Sequence, residues 1–437
     1  EVTKAARDIK DALCEGVAVV SKFSVRNPAH ENAIASIIDG MFENVCLGHT
    51  MGGALNFPRR IHTAYLNTAV MPVQKRFMAS VTEAVERLGI HAPIYFLKAD
   101  GGTYTSGAAS RLPVETILSG PAASVMGSMA LDGSSDGDAW VMDIGGTTTD
   151  IGIIVNGVPL LEPRGVSIHG LATLVRGLKV VSVGVGGDSS VDVTRDRVIQ
   201  VGPVRHGMPA CMGGPCATPM DALVALGAYD ADAELARRFL EPLAARACMD
   251  LARFCEEVVD TAVQTIADAA HAFLDDLNSH PVYTIHEMLH PDIVNPRRVV
   301  LVGGPASLLG PAVSRRMGLP VDVPSHAEVA NALGAALART TAQITLHADT
   351  ELGRVVCPEL ALTEKAPRSM TLSDLKELGI RAMEENAGRL GLSDTSSAQV
   401  IDQQFFAMVR GFSTVGANMR MRIQTTPGII DEWRARR

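Results

Sequence analysis

Residues Trp140 to Asn156 constrain the fold more than any other stretch. Val141, Met142 and Ile144 lead into a short polar loop, and Ile151, Ile153, Ile154 and Val155 lead out of it. Two apolar, β-rich flanks so close together predict a hairpin inside a sheet. The loop itself is unusual. Gly145 and Gly146 let the backbone bring successive N–H groups to a ligand. Thr147, Thr148 and Thr149 add hydroxyls, and Asp143 and Asp150 can hold a hydrated divalent cation. A tight turn that is polar only because it faces water would account for a glycine pair alone. Two aspartates framing three threonines between buried strands favour a phosphate bound together with its metal.

Three further glycine-bearing loops follow strands, at 100–103, 184–190 and 303–306. In an open parallel sheet, loops leaving the carboxyl ends of strands line the ligand crevice. Gly303-Gly304-Pro305-Ala306 lets a flat ring lie against backbone, although strand–glycine–helix turns are also common packing devices. The loop 184–190, with Gly186 and Gly187, has donors for an anion but carries Asp188 at its centre. A carboxylate repels phosphate unless a cation lies between them, so Asp188 either holds a metal or points away.

The remaining pattern alternates. Helices are expected over 2–12, from Pro28 to about Ile38, and over 73–88; strands are expected at 16–20, 44–47 and 94–97. Such alternation implies a mainly parallel sheet covered by helices. A small-residue helix, Ala122 to Leu131, is suited to close backbone approach. The polar stretch Asp132–Asp138 is a hinge candidate and marks a domain boundary. Helical patterns cover 221–227 and 231–275, then a strand at 299–302, a helix near 307–317, a short strand at 319–323 and an alanine-rich helix at 328–340. Beyond a linker come a helix at 371–390 and strand-like runs at 399–410 and 418–425. The expected domains are 1–135, 138–345 and 346–437.

Other candidates have bland alternatives. Arg59 and Arg60, with Thr63, Asn67 and Thr68 ahead of Pro72, can clamp a carboxylate or amide, or merely cap a helix. Asp221 can be an N-cap. His169 and His206 can act as bases, but loop histidines are mostly surface residues. His206, Cys211 and Cys216 lack the paired spacing of a zinc site.

A net charge of −9 with no basic cluster excludes a nucleic-acid surface. No apolar run approaches the ~20 residues of a membrane span, and seven scattered cysteines fit a reducing cytoplasm. Residues 1–12 read as the middle of a helix, so the chain is expected to start inside a domain.

Taken together, the motifs resemble the hydantoinase/oxoprolinase family. They are Phe23–Glu31, Arg60–Pro72 with Tyr65-Leu66-Asn67, Asp100-Gly101-Gly102, Ser119–Ala123, Asp143–Asp150, Val302–Ala306 and Asn331–Ala336. The resemblance covers nearly the whole chain. It implies an actin-like ATPase (ribonuclease H-like) α/β fold, with mixed sheets flanked by helices and a small α+β C-terminal segment. It implies an enzyme that uses ATP and Mg²⁺ to activate a cyclic amide or related carbonyl substrate, by hydrolysis or carboxylation. It also implies a second hydantoinase-type subunit and an oligomer. Asp143 and Thr147 to Asp150 would face phosphates and Mg²⁺, and Gly303 and Gly304 the adenosine. Two departures stand out. Family members open with another Asp-x-Gly-Gly-Thr loop, which is expected ahead of Glu1, making the first domain incomplete. Asp188 stands where a glycine is usual. The alternative reading is a nucleotide-dependent activator or scaffold acting on a partner protein.

Overall fold

The computed structural model describes residues 1–132, 137–162, 164–279, 293–430 and 433. Most of the Asp132–Asp138 hinge candidate lies outside them. The chain forms two compact units: Glu1–Ser119 with Leu161–Gly177 and Ala338–Gly428, and Gly120–Leu160 with Leu178–Leu337 and Ile429–Arg437.

The second unit is organised by one sheet. Its elements in chain order are helix α1 (Ser119–Leu131), strands β1 (Ala139–Ile144), β2 (Thr149–Val155) and β3 (Val180–Val183), and helices α2 (Pro219–Ala225), α3 (Ala233–Ala247) and α4 (Leu251–Asn278). Strand β4 (Arg298–Val302), helix α5 (Ala306–Met317), strand β5 (Val321–Asp322) and helix α6 (Ala330–Leu337) follow; Val158–Pro159 adds a short sixth strand on β2, and Val191–Val193 pairs with Ile199–Val201 in a separate hairpin. The strand order is β3-β2-β1-β4-β5. β1 and β2 form the expected antiparallel hairpin, with Asp143 opposite Asp150. β4 runs parallel to β1, Val302 opposite Asp143. β1 is an almost continuous apolar run because both its faces are covered. α4 buries Phe254, Val258, Ala262, Ile266, Ala270 and Phe273 on one stripe, and Phe273 meets Trp140 of β1 at 6.2 Å between ring centroids. Each such large side chain contributes roughly 1.5–3 kcal/mol on leaving water. The expected helical segment 231–275 is broken where Cys248 adopts a left-handed conformation, φ 56°, after which Asp250 caps α4 through the Arg253 N–H.

α1 makes the close approach its small residues predict. A Cβ on Gly127 would lie 1.8 Å from the Ala330 carbonyl oxygen, and one on Gly334 of α6 would lie 2.0 Å from that of Ala123.

In the first unit, Gly16–Val19 and Asn44–Leu47 pair in parallel, as expected, whereas Tyr95–Leu97 and Thr103–Thr105 form an antiparallel hairpin. The helix expected at 73–88 begins far earlier: it spans Phe57–Arg87, with Asn56 as its cap and Pro72 inside it. Pro72 removes only one N–H, while burial of Arg60, Thr63, Ala64, Asn67 and Thr68 holds the preceding turns helical. A second sheet is wholly antiparallel, in the order Leu362–Lys365, Arg354–Cys357, Gln343–Asp349, Ser413–Thr425, Ala398–Arg410. Helix Leu372–Glu385 lays Leu375, Leu378, Ala382 and Met383 against it. The linker expected after residue 345 is therefore partly strand.

Among the described residues, no helix is long and apolar enough to cross a membrane.

Candidate functional site

The second unit brings three of the four glycine loops together at one end of its sheet. The β1–β2 loop closes on itself through the Gly145 N–H and the Thr148 carbonyl, 2.9 Å. The 184–190 loop is laced to it: the N–H groups of Gly187 and Asp188 donate to the carbonyls of Gly145 and Gly146 at 2.9 and 2.8 Å. Gly186 has to be bare, since a Cβ there would sit 2.5 Å from the Gly145 oxygen. The third loop abuts the same place. Gly303 has φ 101°, and a Cβ on it would meet the Ile144 oxygen at 2.2 Å and Asp143 Oδ1 at 2.5 Å. Gly304 is exposed with open space where its Cβ would be, and Pro305 packs near Gly187.

The fourth loop, 100–103, belongs to the first unit and is internal. Asp100 is fully buried, accepting from Gly102 N, Thr341 Oγ1 and Lys98 Nζ. The sequence pattern groups it with the others; the structure sets it apart in the first unit, where Asp100 lines a separate cavity of about 380 Å³ with Lys98, Glu115 and Arg176.

The loop faces outward with donors unused. Among the described residues, none accepts from the N–H of Gly146, Thr147 or Thr148, and both threonines are exposed. Consecutive free N–H groups on a tight bend form an anion-binding concavity. Thr149 serves the frame instead, donating to the Val185 carbonyl at 2.7 Å.

The carboxylates are also held. Asp143 accepts from Ser124 Oγ of α1, and Asp150 from Ser182 Oγ of β3. Burial raises the Asp150 pKa; the Ser182 hydroxyl opposes this and the Asp143 carboxylate adds to it. Asp143, Asp150 and the neighbouring threonines give an oxygen-only donor set. Mg²⁺ takes such a set through one or two carboxylates, completed by phosphate oxygens and water. Among the described residues no group of three or more His, Cys, Asp or Glu side chains is placed to hold a metal by itself. His206, Cys211 and Cys216 therefore do not gather as ligands.

Asp188 neither projects alone nor joins the two aspartates. Its carboxylate pairs with Arg205 at 2.6 Å. Arg205 Nη1 also donates to Thr147 Oγ1 at 3.0 Å, and Nε to the Gly207 carbonyl at 3.1 Å. Arg205, which sequence reading missed, thus joins two glycine loops. Burial pushes Asp188 toward protonation, Arg205 works against this, and Asp221 adds to it. Behind the site, Thr218 is the cap of α2 and Asp221 its third residue, a capping box rather than the N-cap expected of Asp221. Asp221 also accepts from the N–H groups of Ala210 and Cys211.

The arginine clamp resolves into structure. Arg60 is fully buried and donates to the carbonyls of Ala54, Ser21 and Lys22. Arg59 Nη1 donates to those of Arg164, Gly165 and Thr173. His169 and His206 are exposed.

A family model described as Hydantoinase/oxoprolinase matches residues 60–344. No curated protein matches the chain. Among solved structures, a nucleotide-free acetone carboxylase is similar, with TM-score 0.68 and 17% identity over 98% of this chain and 66% of that one. An ATP-dependent caprolactamase from Pseudomonas jessenii gives TM-score 0.66 and 18% identity over 97% of this chain and 66% of that one. The chain thus spans just under two thirds of the length of each. At these identities the likeness speaks for the fold, which is the mixed-sheet α/β architecture expected from the sequence.

Proposed function

The chain belongs to the hydantoinase/oxoprolinase family, and from that premise we propose that it is part of an ATP-dependent enzyme activating a cyclic amide. The observation that carries this reading is the β1–β2 bend. Three free N–H groups, two exposed threonine hydroxyls and two facing carboxylates meet where three glycine loops converge.

In this reading the N–H groups of Gly146, Thr147 and Thr148 bind phosphate oxygens. Asp143 and Asp150 would hold Mg²⁺, whose charge would offset that of the phosphates. Gly186 and Gly187 keep the second loop close, and Gly303 and Gly304 leave a flat surface for the adenosine. Arg205 adds a positive charge at the edge of the loop, where charge on a transferring phosphoryl group needs compensation. ATP, when bound, supplies the phosphoryl group. A lactam carbonyl is a poor electrophile; phosphorylating its oxygen creates a leaving group and opens the carbon to water. The two similar structures, a caprolactamase and an acetone carboxylase, support carbonyl activation as the shared chemistry. Hydrolysis of a cyclic amide, in complex with a second hydantoinase-type subunit, is the course this reading gives the chain.

The test is a calorimetric titration of Mg-ATP into the wild type and Asp143→Ala. Binding is expected to disappear in the variant while circular dichroism and melting temperature stay unchanged; equal affinity overturns the assignment. ATP turnover that rises when a lactam is added distinguishes this enzyme from an activator, whose turnover would respond to a partner protein.

A further inference from the structure

The first unit has a polar cleft of about 520 Å³ that no part of the proposed nucleotide chemistry uses. Five arginines line it, Arg59, Arg164, Arg176, Arg420 and Arg422, with Glu162 as the lining carboxylate. On a chain with net charge −9, such a concentration of positive charge runs against the average surface.

The strand Ser413–Thr425 explains how it arises. Met419, Met421 and Ile423 point into the apolar core on one face, so alternation sends Arg420, Arg422 and Gln424 to the other. Asp402 lies opposite Arg422 in the adjoining strand. Its Oδ2 is 3.3 Å from Arg422 Nε and 3.6 Å from Arg420 Nη2. One carboxylate therefore faces two guanidinium groups. Among the described residues, neither Nε has a hydrogen-bond acceptor. Burial lowers the Arg420 pKa and the adjacent Arg422 charge lowers it further; Asp402 and Glu359 oppose the shift without reversing it.

Two other arginines have partners inside the protein. Arg176 pairs with Asp100 at 3.2 Å and donates to the Thr425 carbonyl, although among the described residues its Nε and Nη1 also lack a hydrogen-bond acceptor, and Arg59 is tied to three carbonyls. Arg164 is exposed at the rim. Against the five arginines stand Glu162 in the lining, Asp402 and Asp100 on their partners, and Glu359 acting on Arg420, so positive charge remains in excess by one.

We propose that this cleft binds a small multivalent oxyanion, a phosphorylated or polycarboxylate metabolite, through Arg164, Arg420 and Arg422. The planar guanidinium fork matches both phosphate and carboxylate oxygens. An anion there relieves the crowding of Arg420 and Arg422, so it stabilises the fold as it binds.

The experiment titrates the whole chain with pyrophosphate and with citrate, against acetate and chloride at equal ionic strength, by calorimetry and melting temperature. Saturable binding and a raised melting temperature are expected for pyrophosphate, citrate or both. Which one binds tells phosphate from carboxylate ligands. The double variant Arg420→Gln/Arg422→Gln is expected to lose about tenfold or more in affinity, and Arg164→Ala about threefold. Asp143→Ala is expected to keep the binding, which separates this cleft from the phosphate loops. No saturable binding of either probe overturns the proposal. So does unchanged affinity in a folded double variant, or loss of the signal in Asp143→Ala. If the double variant does not fold, Arg164→Ala decides: unchanged affinity there also overturns it.

Discussion

Arg205 holds the Asp188 carboxylate at 2.6 Å, directly beside the bend whose N–H groups are free. Asp188 Oδ2 lies only 2.5 Å from where a Cβ on Gly146 would sit. The carboxylate thus presses its charge against the loop assigned to phosphate, and Arg205 is divided between that carboxylate and Thr147. A bound phosphate would be repelled by Asp188 and would compete with it for the guanidinium. Asp188→Gly is therefore expected to tighten Mg-ATP binding, by about tenfold for a surface-accessible charge pair. Arg205→Ala is expected to weaken it by a similar factor, because Asp188 is then left uncompensated. A fluorescent-nucleotide titration of both variants checks this; weaker binding by Asp188→Gly would show that the carboxylate assists the nucleotide.

What the sequence made legible, and what it hid, follows from the range of the interactions. The β1–β2 hairpin was readable because its apolar flanks, glycines and aspartates are contiguous, and the Gly303 turn because a strand and a helix bracket it. Arg205 was not, since its partners Thr147 and Asp188 are distant in sequence and its own stretch has no periodicity. A faint signal existed: it is the one Lys or Arg between Arg197 and Arg237, and a carboxylate inside a glycine loop needs a counter-charge. Pro72 resembles a helix start and so hides the helix from Phe57, because the burial that holds the earlier turns is tertiary. The strand Gln343–Asp349 escaped because Thr345 and His347, polar by type, are buried along with Ile344 and Leu346.

The contact between α1 and α6 sets helix propensity against packing. In a helix interior alanine is better than glycine by about 1 kcal/mol, so propensity alone predicts that Gly127→Ala stabilises. The structure predicts the reverse. The added methyl would meet the backbone of Ala330 at 1.8 Å, and backbone cannot rotate away as a side chain can. Gly127→Ala is expected to destabilise by about 3 kcal/mol or more. Gly120→Ala, in the same helix with nothing within 4 Å, is expected to be neutral or slightly stabilising. Urea unfolding of both variants is the check, and a neutral Gly127→Ala would contradict the close approach.

The acid response of the first unit has a specific origin in His347. Burial depresses its pKa to about 4 from the usual 6.5, and the charges of Arg420 and Arg26 act the same way. Its Nε2–H donates to the Gly53 carbonyl at 2.6 Å, which opposes the shift without reversing it. A base whose folded pKa is depressed binds protons more readily in the unfolded chain. Its contribution is complete above pH 6.5 and is lost as pH falls toward 4, to a limit of roughly 3 kcal/mol. Glu31, lowered to about 2 from 4.5, acts in a separate window at lower pH: burial pushes its pKa up, but hydrogen bonds from His49, Ser24 and Ser21 outweigh it. Urea midpoints between pH 7 and 4.5 should therefore fall for the wild type and much less for His347→Gln, which retains an N–H donor but does not titrate. Parallel slopes in the two proteins would assign the acid response to other groups.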